Sequence, residues 1–236
     1  MDKSAIEKIV EIAEPHIISE GGYLYSDKSL EIIKEPTVQT LVFHTLDGLI
    51  NTLKVEYQNF AAPIIVNVYS ETSVRVYGAI KADTDRQREQ PYIVSIEPEP
   101  IPFATKLDYE NMMILLRSRF VQTSELADLV KMLGSITEEN SSTTSDDGFT
   151  QNVVVRKGIA MKEKQALNPI VKLRPFRTFN EVEQPESEFL IRLSDGGRVA
   201  LYEADGGAWA LQARKNVAKY LSEKLADLGG TVYVVE

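Results

Sequence analysis

The 236-residue chain contains no cysteine, only two histidines and a single tryptophan. Without cysteine there is no disulfide framework, no thiolate chemistry and none of the usual structural zinc sites. His16 and His44 share no HExxH or comparable ligand spacing, so neither a metal nor a cofactor is expected. No window approaches the roughly 18 apolar residues of a membrane span. The N-terminal MDKSAIEKIVEIAEPH carries acidic residues throughout and lacks the basic and continuous apolar regions of a secretory signal. A soluble intracellular protein with no membrane partner is the expectation. Also missing are GxGxxG, GxxxxGK[ST] and GxSxG, the fingerprints of dinucleotide, P-loop and α/β-hydrolase sites. No Glu-x-Lys occurs, which disfavours the standard restriction-type nuclease core.

What is present is an ordinary globular composition, 43% hydrophobic and 26% charged, with a net charge of -9 that is unevenly distributed. Residues 1–149 hold 13 Lys and Arg against 24 Asp and Glu, or -11, whereas residues 150–236 hold 13 against 11, or +2. Between 150 and 177, seven cations (Arg156, Lys157, Lys162, Lys164, Lys172, Arg174 and Arg177) face only Glu163, a local balance of +6. A phosphate-bearing partner would be expected there.

Ser4 followed by Glu7 has capping-box spacing, and Ile6, Ile9, Val10 and Ala13 recur at helical intervals, which predicts a helix over 4–14. Val38 to Phe43 reads as a strand, followed by a helix capped by Thr45 that carries Leu46, Leu49, Ile50 and Leu53. Pro63 to Tyr69 and Val74 to Ile80 suit a hairpin, and Tyr92 to Ile96 a further strand. Helices follow from Asp108 to Phe120 and after Thr123 or Ser124. Beyond the polar run EENSSTTSDDG come strands near 151–157, 170–179, 188–194 and 199–203, a helix over 208–226 and a strand over 231–235. The fold class expected is α+β, with mostly antiparallel sheets and packed helices in two lobes. An acidic lobe, 1–137, is joined through a polar loop, 138–149, to a strand-rich lobe, 150–236, closed by its long helix.

Candidate binding residues concentrate in Leu173 to Trp209. Arg174, Phe176, Arg177 and Phe179 interleave cations and rings, a composition that grips phosphates and stacks bases. Strand alternation, however, would put Phe176 with Arg174 and Phe179 with Arg177 on opposite faces, and pairing of the arginines with Glu181, Glu183 or Glu186 is the preferred expectation. Asp195-Gly196-Gly197 suits a hairpin turn. Asp205-Gly206-Gly207, just before the helix carrying Trp209, could expose N–H groups to an anion, although a capping role for Asp205 with the glycines permitting a sharp bend is favoured. The binding candidates are therefore Arg156, Lys157, Lys172, Arg174, Arg177, Asp205, Gly206, Gly207 and Trp209, with no catalytic residue assigned. The acidic pairs Asp83 with Asp85, Glu97 with Glu99 and Glu203 with Asp205 read as exposed carboxylates rather than a cation site.

The segments VFHTLDGLI, LNPIVKLRPFRTFNEVEQPESEFLIRL and LYEADGGAWALQA resemble the YfdQ family of bacteriophage and prophage proteins, most specifically from Asn168 onward. That resemblance implies a phage accessory protein acting in the bacterial cytoplasm and carries over no catalytic residue. The expected function is a non-enzymatic binding factor whose partner is a host or phage macromolecule, a protein or a nucleic acid. Two further readings stay open, a counter-defence protein that binds or degrades a phosphate-containing ligand, and an acidic protein-protein inhibitor or virion component. Self-association into a homo-oligomer is compatible with each.

Overall fold

The computed structural model describes residues 2–20, 23–28, 38–80, 86–137, 143–146, 151–157, 161–167, 169–194 and 197–236, with side chains outside the description for 23–24 and 135–168. Two compact units are present, Met1–Thr37 and Val38–Glu236. The first contains helix α1 (Lys3–Ala13) and the antiparallel strands β1 (Ile17–Glu20) and β2 (Tyr23–Ser26). The expected capping box does not form. Asp2 occupies the cap position, the Ser4 hydroxyl donates to its carboxylate at 2.9 Å, and Glu7 pairs instead with Lys3. Pro15 ends the helix by holding Glu14 extended, at φ -73° and ψ 141°.

The second unit runs through β3 (Leu41–Phe43), α2 (Leu46–Glu56), β4 (Ile64–Ser70), β5 (Ser73–Tyr77), β6 (Tyr92–Ser95), α3 (Tyr109–Arg119) and α4 (Ser124–Thr137). It continues as β7 (Thr143–Asp146), β8 (Gln151–Lys157), β9 (Met161–Leu167), β10 (Ile170–Leu173), β11 (Ser187–Ser194), β12 (Arg198–Glu203), α5 (Ala208–Lys224) and β13 (Val232–Val235). A five-stranded sheet has the order β13-β4-β5-β6-β3. Its central strands are antiparallel, and its edges β13 and β3 run parallel to β4 and β6. Strands β10-β11-β12 and β7-β8-β9 form two antiparallel meanders. The class is α+β, as the patterning predicts. Among the described residues no helix is long and apolar enough to cross a membrane.

Strand alternation builds the first core. Ile64, Val66 and Val68 of β4, Val74 and Val76 of β5, and Tyr92 and Val94 of β6 point to one face, where α2 (Leu46, Leu49, Ile50, Leu53) and α5 (Val217, Leu221) cover them. The second core packs Met112 and Leu116 of α3 and Leu126, Leu129 and Leu133 of α4 against Leu173, Phe189, Ile191 and Leu201 of the β10-β11-β12 sheet. Both cores take residues from each side of 138–149. The unit boundary falls at 37/38, and β13 joins the sheet built from residues 41–95, rather than completing a separate C-terminal lobe. Three caps form as their residue types dictate. Thr45 accepts from the Gly48 N–H at 3.2 Å, Asp108 from Asn111 at 2.8 Å and Thr123 from Leu126 at 3.2 Å.

One expected strand is shorter. Regular pairing over 170–179 stops at Leu173, because Pro175 has no N–H to donate and makes only an isolated bridge with Phe120. Residues 174–186 therefore follow an irregular path between the two cores.

Candidate functional site

Gln184 fixes that path. Its side-chain oxygen accepts from the N–H groups of Arg177 (3.1 Å) and Thr178 (3.2 Å), while its amide nitrogen donates to the carbonyls of Thr178 (3.3 Å) and Phe179 (2.9 Å). Buried backbone polar groups outside a sheet need such partners, and here one side chain serves four. The result sends Phe179 fully into the first core and leaves Phe176 40% exposed. The strand alternation expected for Arg174, Phe176, Arg177 and Phe179 is replaced by this side-chain template.

Arg177 is the most buried cation of the segment, 9% exposed. Its guanidinium pairs with Glu203 of β12, donates to the Ser187 hydroxyl at 2.6 Å and lies 4.0 Å from the centre of the Trp209 ring. Burial pulls its pKa down, and Glu203 partly offsets that effect. Asp205 completes the cluster. Its carboxylate accepts from the N–H of Gly207 at 3.1 Å and of Trp209 at 3.3 Å. Burial raises the Asp205 pKa, but those N–H donors, Ser187 and the Arg177 charge together outweigh it and hold the carboxyl below its usual range. Gly206 and Gly207 have φ of 61° and 82°, the left-handed turn that lets Asp205 fold back onto the helix start. The N–H groups that an anion would use are thus engaged by the chain's own carboxylate.

The remaining basic candidates divide. Lys172 lies 3.9 Å from Glu186, and Arg174 pairs with Glu183 at 2.7 Å and Glu186 at 3.5 Å. Arg174 thus finds two of the expected carboxylates, whereas Arg177 uses Glu203, a residue 26 positions away. Arg156 and Lys157 belong to β8, opposite Lys162 and Met161, but their side chains lie outside the described residues. Asp83, Asp85, Asp195 and Gly196 also lie outside them.

A cleft of about 520 Å³ opens where the parallel strands β3 and β6 end, beside the start of α2. His44 and Asp47 contribute from the β3–α2 junction, Glu97 and Glu99 from the chain after β6, Arg119 from the end of α3, and Phe176 and Glu181 from the irregular segment. His44 Nδ1 donates to the Ser95 carbonyl at 3.0 Å, tying the two strand ends together and fixing a proton on that nitrogen. The Glu181 carboxylate accepts from the Leu46 N–H at 2.8 Å, where the helix dipole favours negative charge. Asp47 accepts from the Tyr220 hydroxyl at 2.6 Å, and Glu99 pairs with Arg119. Among the described residues Glu97 makes no ion pair. Four carboxylates against one guanidinium make the lining acidic, suited to a cationic group with Phe176 offering a ring face. No three His, Asp or Glu side chains among the described residues converge closely enough for a metal ion.

Only fragments of this cleft were visible in the sequence, as the Glu97 and Glu99 pair and the strand-end position of His44. Its other walls come from residues 118–119 and 176–181, brought in by the fold. No protein-family model, curated protein or solved structure matches the chain.

Proposed function

We propose that the protein is a non-enzymatic binding factor whose cleft receives a cationic side chain from a basic segment of a partner protein. The supporting observation is the cleft lining, four carboxylates and one guanidinium at the carboxyl ends of two parallel strands, the place where open α/β sheets commonly hold ligands. The pairing of Lys172, Arg174 and Arg177 with Glu186, Glu183 and Glu203 weighs against those residues as a phosphate-gripping surface and so favours a protein partner. The resemblance to the YfdQ phage family supports placing that partner in the cytoplasm of an infected or lysogenic bacterium.

A fluorescein-labelled Lys/Arg-rich peptide and its Glu-substituted counterpart, titrated with the protein and followed by anisotropy, test this reading. The basic peptide is expected to bind and to weaken as salt rises. Glu97→Lys replaces attraction by repulsion and should weaken it about 2- to 30-fold, since an exposed ion pair is worth about 0.2 to 1 kcal/mol and the reversal adds a repulsion of similar size. Equal binding of both peptides, or indifference to Glu97→Lys, rejects the assignment.

A further inference from the structure

The acidic cleft contains a cation of its own, and the fold fixes the point from which it reaches in. Arg119 is the last residue of α3, and its carbonyl accepts from the Phe176 N–H at 2.9 Å. The next residue, Phe120, is buried in the second core and bridges to Pro175. From this anchored position the Arg119 guanidinium pairs with Glu99. Glu97 and Glu99 each precede a proline, Pro98 and Pro100, which restricts both to extended conformations and stiffens the chain between them. Both carboxylates line the cleft, yet they are not equivalent. Glu99 is occupied by Arg119, whereas Glu97 has no ion-pair partner among the described residues.

A cation in the last turn of a helix ordinarily answers the negative end of the helix dipole. Arg117 supplies that charge in the same turn, and its side chain lines a different groove with Gln122, Ala127, Val130 and Lys131. The helix end therefore does not by itself account for Arg119 turning onto Glu99. The pair is also easy to part. Its side chains are 36% and 66% exposed, so water screens the attraction and rehydrates either partner on release. Because it is tethered, however, Arg119 competes for Glu99 at an effective concentration on the order of millimolar. A lone cation in dilute solution does not displace it. A basic segment held by other carboxylates of the cleft meets it on near-equal terms.

We infer that Arg119 is a tethered competitor for the ligand's cation. With the cleft empty it neutralises Glu99, and a basic segment engages that carboxylate only by displacing it. The inference rests on the reading of the cleft as a receptor for a basic segment, and it adds the residue that limits how tightly such a segment is held.

The labelled Lys/Arg-rich peptide, titrated with the full chain and its variants at about 150 mM salt, where charges are screened over about 8 Å, provides the test. Arg119→Gln should tighten binding about 2- to 30-fold, because it frees Glu99 and removes a repulsion, each the size of one exposed ion pair. Arg117→Gln makes the same change of net charge on the same helix outside the cleft, and should alter binding less than about 2-fold. Glu99→Gln completes a double-mutant cycle. In the parent it removes a contact and also the pair the ligand has to break, so the two effects nearly cancel. In the Arg119→Gln background it removes the contact alone and should cost more. Unaltered Trp209 emission and melting show that each variant folds. Unchanged or weaker binding by Arg119→Gln, equal tightening by Arg117→Gln, or additivity in the cycle overturns the competitor and leaves the basic-segment reading in place. Absence of binding by the parent and every variant instead rejects that reading, and the inference with it.

Discussion

Arg177→Met should destabilise the second unit by about 2 to 3 kcal/mol, a figure assembled from the contacts of one side chain. Methionine fills similar length, so cavity formation is minor. The lost cation-π contact with Trp209, at 4.0 Å and partly desolvated, contributes about 1 to 2 kcal/mol. Charge-assisted hydrogen bonds to Glu203 and Ser187 would each bring about 1.5 to 3 kcal/mol if fully buried. Glu203 is 40% exposed and rehydrates when abandoned, which reduces its share to about 1 kcal/mol. Against these gains stands the desolvation of the guanidinium, visible as its lowered pKa. Arg177→Lys retains the charge but not the planar fork, and should lose about half as much. Trp209 is the sole tryptophan, so its emission in urea reports on this cluster directly. Melting should fall by about 4 to 12 °C for the methionine variant. A double-mutant cycle with Trp209→Leu should give about 1 to 2 kcal/mol of coupling. A methionine variant within about 0.5 kcal/mol of the parent, together with no coupling, would refute the assignment of Arg177 as the tie between residues 174–186, β12 and the start of α5.

Two pH dependences follow from the same network and from the cleft. The Asp205 carboxyl is held below its unfolded value, so its stabilisation is present above about pH 4 and is lost as pH falls through the lower folded value. Asp205→Asn should flatten the acid limb of unfolding followed by Trp209 emission between about pH 5 and 2, and an unchanged limb would contradict the capping role. Tyr220 is pushed up to about 12, first by its hydrogen bond to Asp47 and then by burial. Its folded form keeps the proton beyond the unfolded value near 10, so stability drops as pH rises from about 10 toward 12. Tyr220→Phe should remove part of that drop in urea midpoints measured at pH 9, 10 and 11, and parallel curves for both proteins would rule the contact out.

Local structure was largely legible in the residues. Thr45, Asp108 and Thr123 cap their helices because a short oxygen-bearing side chain beside an amphipathic run satisfies free N–H groups wherever that run packs. The hairpin expected from Pro63 to Tyr69 and Val74 to Ile80 forms as β4 and β5, because two β-branched runs flanking a short polar turn favour antiparallel pairing. Asp205 and its glycines likewise behave as turn and cap chemistry demands. The failures have a common origin. Ser4 was expected to cap α1, yet Asp2 precedes it and takes the position. Residues 174–179 looked like strand, but Pro175 stopped the ladder and Gln184 supplied a substitute set of hydrogen bonds.

The sequence by itself determined the α+β class, the β4–β5 hairpin, the helix caps at Thr45, Asp108 and Thr123 and the absence of thiolates. Each depends on composition or on contacts within a few residues. The tertiary structure alone decided that β13 pairs with β4, that Arg177 reaches Glu203 and that the Glu181 carboxylate sits at the start of α2. It also gathered His44, Glu97, Arg119 and Phe176 around one cleft. Charge summed along the chain could not anticipate these arrangements. Coulomb interactions depend on distance in space, and the +6 of residues 150–177 contains cations that folding sets beside Glu183, Glu186 and Glu203.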